Sequence, residues 1–281
     1  RIATRHVIVA TGHSARDIYQ MLHAVGATLE PMPFSIGVRI EHPQDWLNER
    51  QYGRASQHSA LGAAAYRLAC NLPTKRSAYS FCMCPGGVIV ASNHEQGTVV
   101  TNGMSAHGRS GRFANAGIVV NVTRDDYLKT SPLDGIAFQR RWEEAAYALG
   151  GGGHVAPAQR ASDFVAGIAS TGQLATSYLP GVAAADLTEC LPEFVITTIK
   201  AGLAHFDERL PGFAGDNGIL VGVETRVSAP VRIMRDESGQ SPGLRGLFPA
   251  GEGSGFAGGI TSAAVDGIEQ ADRLLASLSK T

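Results

Sequence analysis

Two groups of residues in this chain have the types and spacing to do chemistry. The first is the glycine-dense run Gly251-Glu252-Gly253-Ser254-Gly255-Phe256-Ala257-Gly258-Gly259, set between the apolar stretch Leu247 to Ala250 and a helical pattern from Ile260. Glycines 253, 255 and 258 fit G-x-G-x-x-G at a strand-to-helix turn, the setting in which bare backbone approaches a phosphate or a planar ring. Unpaired N–H groups at the start of the following helix favour a nearby anion by about 0.3–1 kcal/mol. Glu252, an acceptor when ionised, suits ligand hydroxyls. Tight strand–helix packing without any ligand explains the same spacing equally well.

The position of the turn bears on its use. The chain continues for only about 23 residues after Gly258, whereas a βαβ unit that reads a ribose from its second strand needs about 30. The turn therefore closes a nucleotide-binding layer and does not open one.

The second group is Cys82 and Cys84. Two apart on a predicted strand, they share a face with Cα atoms roughly 6.6–6.8 Å apart, the outer limit for a disulfide. An internal bridge needs a kink in the strand. A metal site would need further ligands such as His94 or His107, at no standard spacing, and none is assigned. A reactive thiolate and plain apolar packing are the two readings, the second being the simpler. Arg39, Glu41 and His42 at one strand end, and Glu224 and Arg226 at another, are candidates to meet substrate across a cleft. Each also reads as a solvated strand terminus. His107 and Arg109, in a loop with Gly103, Gly108 and Gly111, are either a substrate loop or an ordinary turn.

The elements that must position these groups alternate between strand and helix. Val7 to Ala10 reads as a buried strand, Thr11-Gly12 as a turn, and Ile18, Met21, Leu22 and Val25 as a helix capped by Ser14 and ended by Gly26. After Pro31, Phe34 to Glu41 alternates as a strand. Alanine-rich Leu61 to Cys70 reads as helical. Ala78 to Cys84, Val88 to Ser92 and Thr98 to Thr101 read as a meander broken at Pro85-Gly86-Gly87 and at Asn93 to Gly97, with Ile118 to Val122 as a fourth strand. Helices are predicted from Asp134 and over Leu191 to Phe206. Strands follow at Ile219 to Val223 and Val231 to Met234. The closing helix carries Ile260, Ala263, Ala264, Ile268, Ala271, Leu274, Leu275 and Leu278 on one apolar face.

With 281 residues and 44% hydrophobic side chains, the chain has ample material for a buried core. A formal charge of -1 provides no field for nucleic acid. The four cysteines, Cys70, Cys82, Cys84 and Cys190, form no disulfide framework and favour a reducing, cytoplasmic compartment. No apolar run reaches the length of a membrane span. P-loop and H-E-x-x-H sequences do not occur.

The run from Gly246 to Ile260, continued by Thr261 to Gly267, resembles the C-terminal flavin-contacting motif of FAD-dependent dehydrogenases of the glutathione-reductase-like superfamily. More narrowly, the chain is similar to a bacterial family of uncharacterised FAD-dependent dehydrogenases. The segments Ser80 to Gly87, Val100 to Ser105, Gly222 to Arg226, Phe34 to Pro43 and Pro157 to Arg160 carry that likeness across nearly its whole length. The resemblance implies an α/β protein with a partial Rossmann-like FAD-binding domain, residues 1–30 and 230–281, and an inserted mixed α+β substrate domain, residues 31–229. It implies an FAD-dependent oxidoreductase passing a hydride between FAD and a small organic substrate, with NAD(P)H a candidate reductant. Thr11, Gly12, Gly251, Glu252, Gly253, Gly258, Gly259 and Ile260 are the expected cofactor contacts. Cys82, Cys84, Glu224, Arg226 and Arg39 are the catalytic candidates. Such proteins open with a G-x-G-x-x-G unit that nothing before Val7 supplies, so a C-terminal portion is expected, its partner being the missing N-terminal FAD-binding segment. A non-catalytic FAD-binding domain and a flavin-free NAD(P)-dependent dehydrogenase are the alternatives.

Overall fold

A computed structural model describes residues 2–92 and 95–279. His94, a sequence candidate for metal ligation, and the Asn93 end of a predicted turn lie outside the described residues. Along the chain, β1 (Val7–Val9), α1 (Arg16–Ala24) and β2 (Leu29–Pro31) lead to β3 (Phe34–Pro43) and α2 (Gln44–Tyr52). Then come β4 (Ala69–Asn71), β5 (Ser77–Ala91), β6 (Thr101–Ser105) and β7 (Phe113–Val122), followed by α3 (Arg124–Tyr127) and α4 (Asp134–Leu149). The remainder is β8 (Ala156–Arg160), α5 (Ala161–Ala166), β9 (Val182–Ala184), α6 (Glu193–Arg209), β10 (Ile219–Glu224), β11 (Val231–Ile233), β12 (Leu247–Pro249) and α7 (Ile260–Leu278). The fold is mixed α/β.

The chain divides into two units, one gathering the described residues up to Phe34, Val122–Gln139 and those from Arg226 onward, the other Ser35–Asn121 and Arg140–Thr225. In the first unit β1 pairs with β12 in parallel and β11 with β2 antiparallel. Its core joins Tyr19 and Leu22 of α1 to Ala27, Ile136, Val231, Ile233 and Leu247. The predicted Ser14 cap is not made: Ala15 occupies the N-cap position, without a side-chain bond. Gly26, at φ +93°, follows the helix in the left-handed conformation that a Cβ disfavours.

The larger unit is built on a sheet that, among the described residues, has eight strands in the order β4-β5-β7-β3-β10-β8-β9, with β6 on β5. All residues of β3 from Phe34 to His42 are buried, so its alternation does not sort polar from apolar surroundings as a half-exposed strand would. Helix α6 carries the predicted stripe Val195, Ile199, Leu203 and Phe206 inward, and comes so near β5 that a Cβ on Gly202 would overlap Ala78.

Two expectations fail here. Residues 61–68 are irregular and 69–71 form β4, not an alanine-rich helix. Their backbone finds tertiary partners instead: Ala64 N–H donates to Asn48, its carbonyl accepts from Gln44, and Leu68 and Ser80 exchange hydrogen bonds. Tertiary pairing overrides helix propensity. Pro85-Gly86-Gly87 does not reverse the chain either. Strand β5 runs straight through it, absorbing register shifts against β7 between Phe81 and Cys84 and between Cys84 and Gly87, with Gly86 at φ +54° lying on the Arg109 carbonyl.

Candidate functional site

In the larger unit the buried Arg39 of β3 organises a polar cluster. Its side chain is 0% exposed, and its Nε donates to Glu224 Oε2 at 2.8 Å. Nη1 donates to Asn115 Oδ1 at 3.3 Å and Nη2 to the Cys82 carbonyl at 2.8 Å. Desolvation raises the Glu224 carboxyl to about 7, outweighing the stabilising Arg39 charge, while Cys82 also pushes it upward. Space for the ion pair exists because two neighbours lack side chains. A Cβ on Gly103 would overlap the Arg39 guanidinium, and one on Gly117 would stand 2.9 Å from Glu224 Oε2. Gly103→Ala is therefore expected to destabilise the protein by about 1–3 kcal/mol, the usual result of overpacking; chemical denaturation measures it, and an unchanged midpoint would contradict this packing.

Arg39 and Glu224 were candidates to face a cleft from strand ends; they are instead enclosed, because both faces of β3 are covered. Glu41 is buried too, accepting hydrogen bonds from the Ser177 N–H at 2.7 Å and from its hydroxyl. His42 bonds the Phe213 carbonyl at 2.9 Å through Nε2 and stacks on Trp46. Burial lowers its pKa to about 4, so it stays neutral. Arg226 is buried and belongs to the smaller unit.

The two cysteines are not equivalent in exposure, as a regular strand would make them. Between Phe81 and Cys84 strand β5 carries one residue more than β7 opposite, and Cys82 adopts φ +45°. The bulge turns Cys82 outward and buries Cys84, both as free thiols. Sequence reasoning missed Asn115 and Tyr66, which complete this neighbourhood: the Asn115 Nδ2 and Tyr66 hydroxyl are buried without a hydrogen-bond partner. No local pattern marks either. His107 is exposed in a turn whose Gly111 N–H donates to the Gly86 carbonyl. Among the described residues no three His, Cys, Asp or Glu side chains gather as metal ligands, and no helix is long and apolar enough to cross a membrane.

In the smaller unit β12 delivers the chain into the glycine turn. Gly251, at φ +78°, donates its N–H to Asp266 Oδ2 at 2.7 Å, and Asp266 pairs with Arg235 through both oxygens at 2.6 and 3.1 Å. Arg235 in turn lies 3.7 Å over the Phe256 ring. The pair and the Gly251 N–H hold Asp266 below its usual carboxylate value against the opposing effect of burial. Asp266→Ala is expected to cost about 1.5–3 kcal/mol. The native contribution disappears as pH falls through the depressed Asp266 pKa, so the variant and parent should converge in acid denaturation curves; a constant gap would refute the assignment.

The glycines of the turn serve different ends. Gly253 packs on the Gly12 carbonyl with no room for a Cβ, and the buried Tyr19 hydroxyl donates to the Gly253 carbonyl at 2.6 Å. Packing accounts for that glycine. Gly258 and Gly259 are another matter: neither has a left-handed φ, and a Cβ on either meets nothing within 4 Å. Beside them Ile260 is 92% exposed. A groove of about 690 Å³ opens here along Phe256, Gly259, Ile260, Ser262, Val265 and Asp266. Glu252 stands a quarter exposed, 3.6 Å from His13 Nδ1, with Gly12 (φ +80°) partly buried and Thr11 exposed nearby in the sequence. Bare backbone, a helix N-terminus and an acidic acceptor at one turn fit a large polar cofactor.

Helix α7 corrects the predicted stripe. It buries Asp266 and Gln270 and leaves Ile260, Val265, Ile268, Leu275 and Leu278 exposed, because the Arg235–Asp266 pair turns its polar side toward the unit's interior.

The family described as FAD-dependent protein, C-terminal domain-like, matches residues 33–227. That span is well over half of the sequence, and the chain belongs to this family, among FAD-dependent oxidoreductase-like proteins. An uncharacterized protein of Clostridium beijerinckii is 47% identical over 277 residues, which are 98% of this chain and 52% of that relative. The chain thus spans about half the length of the relative it matches.

Proposed function

We propose that the chain forms the C-terminal portion of an FAD-dependent oxidoreductase, with the turn at Gly258-Gly259 applied to the flavin. The observation that carries this reading is the unused space at those two glycines. Neither backbone geometry nor packing requires glycine there, so an uncovered main chain next to the α7 N-terminus is best explained by a ligand's close approach. In this reading the α7 N–H groups supply partial positive charge to the cofactor's anionic edge, and Glu252, with Thr11 and Gly12, accepts or frames its hydroxyl-bearing chain. FAD would supply hydride transfer to or from a small organic substrate, with NAD(P)H as a candidate reductant.

The parallel β1–β12 pair and α7 serve in this account as the closing elements of a Rossmann-like layer. The exposed apolar residues of α7 and the half-exposed Val7 and Ile8 of β1 are assigned to cover by the additional chain that the longer relative contains. The whole polypeptide, purified without denaturation and then unfolded, is expected to release FAD in near-stoichiometric amount by mass spectrometry. A colourless protein releasing only a nicotinamide nucleotide would overturn the reading.

A further inference from the structure

We propose that Cys82 and Cys84 form a redox-active dithiol that reduces low-molecular-weight, carboxylate-bearing disulfides, with Cys82 attacking and Cys84 resolving. The inference does not depend on the flavin reading. Four observations in the larger unit converge on it. The β5 bulge supplies the kink that a Cys-x-Cys pair on a regular strand lacks, exposing Cys82 while keeping Cys84 beneath it. The buried Arg39 guanidinium pins that bulge through the Cys82 carbonyl at 2.8 Å, and the Cys84 thiol donates to the same carbonyl at 3.3 Å. The left-handed φ of Cys82 is disfavoured for a residue with a Cβ by about 1–2 kcal/mol, which apolar packing of an exposed thiol does not offset.

A groove of about 690 Å³ also runs past Cys82, lined by Tyr66, Arg67, Tyr79, Phe81, Met83 and Asn121 among others, a size suited to a small molecule. Tyr66, 7% exposed, lies at the wall of the groove with its hydroxyl buried and unpartnered. The exposed Arg67 provides a cation for a substrate carboxylate.

Contact with the Cys84 side chain lowers the Cys82 pKa to about 6 against the opposing effect of burial, helped by Arg39. The same contact and burial raise Cys84. The exposed sulfur is therefore the thiolate and the buried one holds the proton. In the step that follows, Cys82 Sγ attacks one sulfur of R–S–S–R, whose S–S bond breaks to release RS⁻ and leave Cys82–S–S–R. Cys84 then loses its proton and attacks Cys82 Sγ, releasing the second RS⁻. Two protons, one from Cys84 and one from solvent, convert both products to RSH. The pair gives up two electrons and ends as the Cys82–Cys84 disulfide, which an external dithiol restores.

The test exposes the whole polypeptide to oxidised glutathione at pH 6, quenches with iodoacetamide and analyses peptides by mass spectrometry. The parent is expected to yield an internal Cys82–Cys84 bridge with no lasting glutathione adduct. Cys84→Ser, which keeps a hydroxyl donor, should trap glutathione on Cys82 roughly twentyfold faster than an ordinary thiol of pKa about 9, the higher thiolate fraction outweighing lower nucleophilicity. Cys82→Ser should form neither product. A lasting adduct without a bridge in the parent, or reaction at Cys82 no faster than at Cys70, would overturn the proposal.

Discussion

Replacing Arg39 with methionine is expected to destabilise the protein by about 3–5 kcal/mol near pH 8, the penalty for removing one partner of a buried ion pair. The substitution leaves the Glu224 carboxylate, 3% exposed, facing the Gly117 backbone with its counter-charge gone. It also strips the Asn115 side chain and the Cys82 carbonyl of a donor. The pH dependence separates these losses. The native Glu224 pKa of about 7 lies above the unfolded value near 4.5, so the folded state holds its proton more tightly. That contribution is fully present below pH 4.5 and is lost as pH rises through 7. Without Arg39 the native pKa rises further, and the Arg39→Met variant should lose less relative to the parent at pH 5 than at pH 8. Adding Glu224→Gln should recover part of the loss at pH 8 and little at pH 5. Urea unfolding at the two pH values measures this; an equal loss at both would mean that the carboxylate is not the group left stranded.

How far such a cluster can be read from sequence depends on how local its causes are. The alternation of Ile36, Val38 and Ile40 made β3 legible, and the Val195, Ile199, Leu203 and Phe206 spacing did the same for α6. The enclosure of Arg39 was not legible, since the hollow that receives it is made by Gly103 on β6 and Gly117 on β7. The Cys82 bulge was hidden for a similar reason: regular strand geometry predicts a shared face, and only pairing with β7 reveals the additional residue. Residues 61–68 show the limit of propensity, because Asn48, Gln44 and Ser80 offer their backbone better partners than an isolated helix would. The glycine turn was readable as a unit, but not the division of labour within it. Spacing cannot tell Gly253, filled by the Gly12 carbonyl, from Gly258 and Gly259, which face open space.

That difference supplies the second large effect. A valine at position 258 meets no protein atom near its Cβ, so Gly258→Val should leave the unfolding transition within about 1 kcal/mol of the parent, β-branching at an exposed position being a small perturbation. Its methyl groups would occupy the volume assigned to the cofactor. If the isoalloxazine lies there, flavin retention should fall at least tenfold, corresponding to about 1.4 kcal/mol or more of lost binding, with Gly258→Ala intermediate. Gly253→Ala is expected to show the opposite profile, with impaired stability from its clash with the Gly12 backbone.

The most direct measurement is the ratio of flavin to protein absorbance in the whole polypeptide carrying Gly258→Val, purified beside the parent and matched for folded content by circular dichroism. The expected result is a folded protein largely emptied of flavin. A folded variant that retains the parent's full yellow colour would contradict it.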